Sequence, residues 1–191
     1  MDRFERSAAP DCLAQARGEL CQGDFAAHAV WEMFRKRNCY GETRAALLNI
    51  SGMTCAFCAG GFAQSPETVE HFRPKAGVHA PKDSVLDWEN LFPACVACQS
   101  AKGESFSTDL LKPDAPDYSP WRHFIANADD GSLEPLPNDA PQRAQVTIKT
   151  YKLNRAALKR ERRNAIRALR SAAGAPVEIE QYRFLVELFP A

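Results

Sequence analysis

The most informative parts of the sequence are two short stretches, Cys55-Ala-Phe-Cys58 and Cys95-Val-Ala-Cys98. Each stretch has two cysteines separated by two residues, and 36 residues lie between the two pairs. A C-x2-C turn places two sulfurs on one side of a metal ion, so two such turns supply the four tetrahedral ligands that structural zinc prefers. We therefore predict a structural Zn2+ site with four cysteine ligands, which has no open position for catalysis.

The chain on either side of these cysteines divides into three regions by composition. Residues 1–52 are predicted to form an N-terminal helical flank. Residues 53–112 are poor in helical period and rich in Cys, Gly and Pro, so we expect a finger organised by metal rather than by an apolar core. Residues 113–191 begin as a proline-rich connection and then become helical. The helices that we expect outside the finger are 25–34 (capped by Asp24), 42–50, 142–153, a helix from the cap at Asn154 to about 173, and an amphipathic helix over 177–189.

Length and composition indicate a globular protein. The chain has 191 residues, of which 45% are hydrophobic and 25% are charged. Lys+Arg and Asp+Glu are equal at 24 each, so the net charge gives no indication about nucleic acid. The N-terminus carries charges where a signal peptide would be apolar, and no apolar stretch approaches the roughly 18 residues of a membrane span. We therefore expect a cytoplasmic protein with no membrane contact.

The three remaining cysteines, Cys12, Cys21 and Cys39, have no neighbour at a ligand spacing. The total of seven cysteines is odd, no export signal is recognised, and the cytosol keeps thiols reduced. A disulfide framework is therefore not expected, and we interpret these three residues as small buried hydrophobic side chains.

Four strings of sequence carry a resemblance to a known family. They are residues 70–75 (EHFRPK), 88–92 (WENLF), 95–103 (CVACQSAKG) and 147–155 (TIKTYKLNR). In the first three, the chain resembles the HNH (ββα-metal) endonucleases, in the branch whose finger is held by four cysteines. The strings at 70–75, 88–92 and 147–155 are similar to those of HNH subunits of Septu-type and retron-type anti-phage defence systems of bacteria, which work beside an ATPase. The resemblance covers about residues 53–170.

The resemblance implies an α+β fold and an activity. A β-hairpin around 68–92 and a helix over about 95–106 would form the ββα finger, flanked by helices from both termini. The implied activity is hydrolysis of phosphodiester bonds in DNA, with His71 as the general base that removes a proton from the attacking water. Glu70 and Gln99 match the positions that hold one catalytic Mg2+ or Mn2+ ion. The family commonly has Asp and then His or Asn at those two positions, so this chain keeps an oxygen donor on a side chain one methylene longer than Asp or Asn.

The resemblance also implies supporting roles for neighbouring residues. Asn90 would fasten the loop and orient the imidazole through hydrogen bonds. Lys102, one helical turn beyond the second cysteine pair, would face the phosphate. Arg73 and Lys75 would contact the nucleic-acid backbone.

A basic stretch near the C-terminus predicts further contacts with DNA. Residues 154–170 contain seven cations and one acid, Glu161, so seven minus one leaves a local charge of +6. Such a stripe is typical of phosphate-backbone contacts without sequence preference. The alternatives are a solvated helix face or a docking surface for an acidic partner. The residues that we predict to contact nucleic acid here are Lys159, Arg160, Arg163 and Arg167.

Two other functions fit the same motifs. The first is a zinc-pinned nucleic-acid-binding or adaptor module that is catalytically weak or inactive. The second is a redox protein that uses its C-x2-C pairs, although such a protein has no need of a second pair. His28, His79 and His123 are interpreted as ordinary residues, and His79 lies close enough in sequence to reach the phosphate path.

Overall fold

The structure is a computed structural model of the chain. It contains seven α-helices and four strands among the residues that it describes. Those residues are 4–63, 65–76, 81–137, 140–171, 182 and 185. In chain order the elements are α1 (Asp11–Cys21), α2 (Ala27–Arg35), α3 (Asn38–Ile50), β1 (Glu67–His71), β2 (Leu91–Cys95), α4 (Val96–Lys102), α5 (Pro120–His123), β3 (Phe124–Ala126), β4 (Leu133–Pro135), α6 (Pro141–Thr150) and α7 (Ala156–Ser171).

The N-terminal helices α1, α2 and α3 pack against one another, and α3 also contacts strand β2. Three apolar residues predicted to share the core-facing side of α2 are buried, namely Val30, Trp31 and Phe34. Phe25 was expected on the same side, but it is 50% exposed because it precedes the helix, whose N-cap is Ala26. The predicted cap at Asp24 is therefore wrong.

The packing of α1 against α3 joins two cysteines that the sequence leaves far apart. Cys12 and Cys39 form a disulfide bond across 27 positions of the chain. This pairing corrects the expectation that both are isolated buried thiols, although Cys39 is indeed buried. The pairing depends on how two helices meet, which local sequence patterns do not show. Cys21 lies outside the bridge and is half-buried.

Replacing Cys12 and Cys39 together by alanine is expected to lower the free energy of unfolding by about 3–4 kcal/mol in oxidised protein, because the bridge restricts the unfolded chain. Urea unfolding with and without a phosphine reductant measures the effect. The reductant should lower the wild-type midpoint and leave the double variant unchanged, and Cys21→Ala serves as the matched control. A wild-type midpoint that does not respond to the reductant would contradict the bridge.

A hairpin and the helix after it form the centre of the molecule. Strands β1 and β2 are antiparallel, with Glu70 opposite Phe92 and His71 opposite Leu91. Helix α4 begins directly after β2 and packs on both strands. It ends at Lys102, earlier than predicted, because Gly103 follows with a positive φ of 53°. The predicted α+β class is confirmed. The hairpin, which the resemblance implied around 68–92, spans 67–95.

The C-terminal part of the described chain contains a second hairpin, which the sequence did not predict. Strand β3 pairs with β4, and the side chain of Asn154 joins this hairpin through hydrogen bonds of 2.7 and 2.8 Å to the backbone of Leu133. Asn154 therefore does not cap α7, which begins at Ala156. The predicted helix over 177–189 lies outside the described residues, except for 182 and 185.

A single cluster of buried hydrophobic residues runs through all three regions of the described chain. It contains Trp31 and Leu47 from the N-terminal helices, Phe92 from the hairpin, and Tyr151 and Ile166 from the C-terminal part. The hairpin is therefore supported from both sides. Among the described helices, we find none that is both long enough and apolar enough to cross a bilayer.

Candidate metal centre and adjoining cleft

The four predicted ligands meet at one point of the structure. The sulfur atoms of Cys55, Cys58, Cys95 and Cys98, which we call the cysteine cluster, all lie within 4.8 Å of one another, and all four residues are buried. Ligands about 2.3 Å from a tetrahedral zinc ion are separated by roughly 3.8 Å. The Cys58 and Cys95 sulfurs are 3.9 Å apart, close to that value. The cysteine cluster could therefore hold a metal ion such as zinc.

Each cysteine pair is shaped by local backbone structure. In the first pair, the Cys55 amide donates to the carbonyl of Gly60 and the Ala59 amide donates to the carbonyl of Cys55, both at 2.9 Å. Ala59 adopts a positive φ of 60°, which closes this turn tightly. In the second pair, Cys95 ends strand β2 and Cys98 lies in the first turn of α4. Burial raises the pKa of Cys55, so a buried thiolate at this position needs a compensating cation.

A cleft of about 410 Å3 opens beside the hairpin. It brings together three residues that the resemblance placed in the active site and one that it placed on the nucleic-acid backbone. Helix α2 supplies the opposite wall. The lining residues that matter here are Trp31, Arg35, Glu70, His71, Lys75 and Gln99.

The imidazole of His71 has a defined tautomer. Its Nε2 atom is 3.0 Å from the carbonyl oxygen of Val85. A carbonyl oxygen only accepts hydrogen bonds, so Nε2 carries the proton and Nδ1 has the free lone pair. Burial, followed by the positive charge of Lys75, lowers the pKa of His71 to about 3. The imidazole is therefore neutral near pH 7, and its ring centroid lies 4.4 Å from that of Trp31 in an edge-on contact.

Glu70 and Lys102 form a buried ion pair. The Lys102 ammonium donates to Glu70 Oε1 at 2.7 Å and to the carbonyl of His71 at 2.9 Å. Burial raises the pKa of Glu70, and the charge of Lys102 opposes that effect. Lys102 is 1% exposed, so the expectation that it faces a phosphate is wrong. The sequence could not show this, because the pairing depends on how α4 packs against β1.

Gln99 links helix α4 to the same strand. Its Nε2 atom donates to the carbonyl of Val69 at 2.9 Å. A hydrogen bond from Gln99 also helps to lower the pKa of Glu70. The two side chains that the resemblance assigns to a catalytic cation are therefore neighbours.

Asn90 fastens the loop that orients His71. Its Oδ1 accepts from the amide of Arg73 at 2.7 Å, and its Nδ2 donates to the carbonyl of Ser84 at 2.9 Å. The carbonyl that accepts the hydrogen bond from the imidazole belongs to the next residue, Val85. The hydrogen bond that orients His71 therefore comes from the loop, and Asn90 acts on the imidazole through that loop.

Some of the residues predicted to contact nucleic acid are exposed at the surface, and others contact groups of the protein itself. Arg73 is exposed, with its guanidinium 5.5 Å from the centre of the Phe106 ring. Lys75 is half-buried at the cleft. On α7, Arg160 and Arg167 are exposed.

Three cations of the basic stretch contact the protein itself. Lys159 pairs with Asp130, and Arg162 is fully buried with a hydrogen bond of 2.7 Å to the carbonyl of Gly131. Arg155 contacts the cysteine cluster. The free charge of the stripe is therefore smaller than the sequence predicted, and the expected role of Lys159 is weakened by its ion pair. Arg163 is half-buried. His79 lies outside the described residues.

This chain matches no family model and no curated protein. The function is therefore argued from the cysteine cluster, the cleft and the motif residues.

Proposed function

We propose that this protein is a metal-dependent HNH-type endonuclease that hydrolyses phosphodiester bonds in DNA, with a zinc ion in the cysteine cluster as scaffolding. The observation that carries the proposal is the cleft lined by Glu70, His71 and Gln99. These are the three residues that the motif resemblance assigns to proton transfer and to cation binding.

His71 is the proposed general base. Its hydrogen bond to Val85 leaves Nδ1 unprotonated, which is the form needed to accept a proton from an attacking water. The low pKa makes the unoccupied His71 a weak base. An anionic phosphate bound in the cleft favours the imidazolium form, so substrate binding would raise the pKa towards the working range.

Glu70 and Gln99 are the proposed ligands of one Mg2+ or Mn2+ ion. Their side chains offer oxygen atoms, which are the donors that these hard cations prefer. Because Lys102 holds Oε1 of Glu70, a cation would bind the carboxylate through its other oxygen. When bound, such an ion supplies charge neutralisation at the scissile phosphate and the leaving oxygen.

Cations after strand β1 and on helix α7 support DNA as the substrate. Arg73 and Lys75 come soon after the end of strand β1 at His71, and Lys75 also lines the cleft. Arg160 and Arg167 lie exposed on α7. We propose that these four side chains contact phosphate groups, giving affinity that falls steeply with salt and has little sequence preference.

A second candidate is a zinc-pinned nucleic-acid-binding or adaptor module without catalysis. The specific observation in its favour is the buried pair of Glu70 and Lys102, because the ammonium competes with a metal cation for the carboxylate. Both candidates bind nucleic acid, so cleavage discriminates between them.

Substitution of His71 by alanine is expected to reduce plasmid nicking with Mg2+ or Mn2+ by about 100-fold to 10,000-fold, the range for loss of a general base. DNA binding and zinc content should stay at wild-type values. His28→Ala is the matched control, because His28 is an exposed histidine on α2. Equal cleavage by wild type and His71→Ala would refute the catalytic assignment, and a wild type that binds but never cuts would favour the adaptor.

We further propose that the nuclease is the cleaving component of a bacterial anti-phage defence system and acts in the cytoplasm beside an ATPase. The support is the similarity of residues 70–75, 88–92 and 147–155 to HNH subunits of such systems. Co-purification of the tagged chain with an ATPase encoded by an adjacent gene tests this proposal. Failure to co-purify, with nuclease activity intact, would leave a nuclease that acts alone.

A further inference from the structure

The guanidinium of Arg155 lies against the cysteine cluster. Both of its terminal nitrogens are 3.5 Å from the sulfur of Cys98. Nη2 is also 3.6 Å from the sulfur of Cys95 and 4.0 Å from that of Cys58. One side chain, 57 positions from Cys98 along the chain, therefore contacts three sulfurs of the cluster.

The connection between α6 and α7 holds Arg155 in this position. Nη1 of Arg155 donates to the carbonyl of Tyr151 at 3.2 Å. The Tyr151 ring stacks on Phe57, which lies between the first two cysteines, with ring centroids 4.2 Å apart. Arg162 reaches back to the carbonyl of Leu153 at 2.6 Å. Because these contacts order the connection, the guanidinium loses little further conformational freedom when it meets the sulfurs.

The charge balance of a zinc-loaded cluster explains what this cation does. Four thiolates and one Zn2+ ion sum to a charge of −2 in a site where all four cysteines are buried. An uncompensated charge in such an environment is costly, and a charge-assisted hydrogen bond reduces the cost. A guanidinium stays protonated under all ordinary conditions, so Arg155 supplies a permanent positive charge.

We propose that Arg155 is a positioning residue of the metal centre. It strengthens zinc binding by donating hydrogen bonds to the sulfur of Cys98 and to neighbouring sulfurs, and it couples the C-terminal helices to the finger. The favourable contact with thiolates is made only once the cysteines have lost their protons. Arg155 therefore stabilises the loaded state relative to the metal-free state. This inference rests on the proposal that the cluster holds zinc, and it does not depend on nuclease activity.

Competition between the purified full-length chain and a chromogenic zinc chelator tests the inference. Arg155→Gln removes the charge. Arg155→Lys keeps the charge but replaces the two terminal nitrogens of the guanidinium with a single ammonium. We expect zinc affinity to fall about 10-fold to 100-fold in Arg155→Gln, the range for loss of a group that supports metal ligands. Arg155→Lys should lie between the wild type and Arg155→Gln. The matched control is Arg160→Gln, an exposed arginine on the helix that follows, α7, which should leave zinc affinity unchanged.

Cobalt substitution adds a readout that loss of packing alone would not move. The guanidinium stabilises electrons on the sulfurs, so the sulfur-to-Co2+ charge-transfer band should shift to lower energy in Arg155→Gln. Equal zinc affinity and an unshifted band in Arg155→Gln would overturn the proposal. If Arg155→Gln does not fold, Arg155→Lys is the deciding variant. Several-fold weaker zinc binding in Arg155→Lys supports a role for the guanidinium hydrogen bonds to the sulfurs, and wild-type affinity overturns that role. A wild type that contains no metal would refute the zinc site itself.

Discussion

Substitution of Cys98 by serine is expected to abolish stable zinc binding and to unfold the hairpin with helix α4. Structural zinc contributes on the order of 10 kcal/mol to the folding of small domains. The cysteine cluster joins a turn after α3 to the end of β2 and the start of α4, so loss of the ion removes the link between these segments. Metal content by mass spectrometry and amide hydrogen exchange of residues 67–71 measure the effect.

The matched control for this variant is Cys21→Ser, because Cys21 is half-buried and lies outside the cluster. It should keep about one zinc ion per chain and wild-type exchange rates. If Cys98→Ser retains zinc and the hairpin exchanges as slowly as in the wild type, the cluster is not a metal site that holds the fold. The same result would favour the redox alternative, provided that the cysteines react readily with an alkylating reagent.

Substitution of Lys102 by methionine is expected to lower the free energy of unfolding by about 3–5 kcal/mol, because it leaves the buried carboxylate of Glu70 without its partner. The loss also removes the hydrogen bond of 2.9 Å to the carbonyl of His71, so the strand that carries the proposed base is less firmly held. Urea unfolding measures the change in stability, and plasmid nicking measures the change in cleavage activity.

A double variant makes this prediction specific to the ion pair. Glu70→Gln combined with Lys102→Met removes both charges, so most of the stability lost in Lys102→Met should return. Gln99 is a neighbour of the pair, and Gln99→Ala therefore tests whether a simple cavity at this place has a comparable cost. If Lys102→Met and the double variant are equally unstable, lost packing rather than the unpaired charge explains the effect.

Local patterns of sequence were enough to predict the cysteine cluster and much of the fold around it. The C-x2-C spacing fixes the geometry of each pair within a single turn, so the ligands could be named without knowing the tertiary structure. The apolar spacing of Val30, Trp31 and Phe34 placed α2 to within two residues of its observed bounds, because helical period is also a local property. The resemblance assigned Glu70, His71 and Gln99 to one site, and all three side chains line the same cleft in the structure.

Contacts between distant segments were the part that the sequence could not predict. The resemblance implied that Lys102, one helical turn beyond the second cysteine pair, faces a phosphate, but the packing of α4 on β1 buries it against Glu70. The bridge between Cys12 and Cys39 likewise depends on the packing of α1 and α3. The basic stretch was counted as one charged surface, whereas Arg162 is directed into the protein. In each case the partner comes from another element, and charge or spacing along the chain carries no information about it.

The placement of Arg155 has a consequence for how the protein is made. Cys58 and Cys95 are separated by 37 positions, and Arg155 follows Cys58 by 97 positions. If the cysteine cluster holds zinc as proposed, all four ligands leave the ribosome before the guanidinium that contacts them. We therefore expect chains that terminate before Arg155 to hold zinc more weakly than chains that include it.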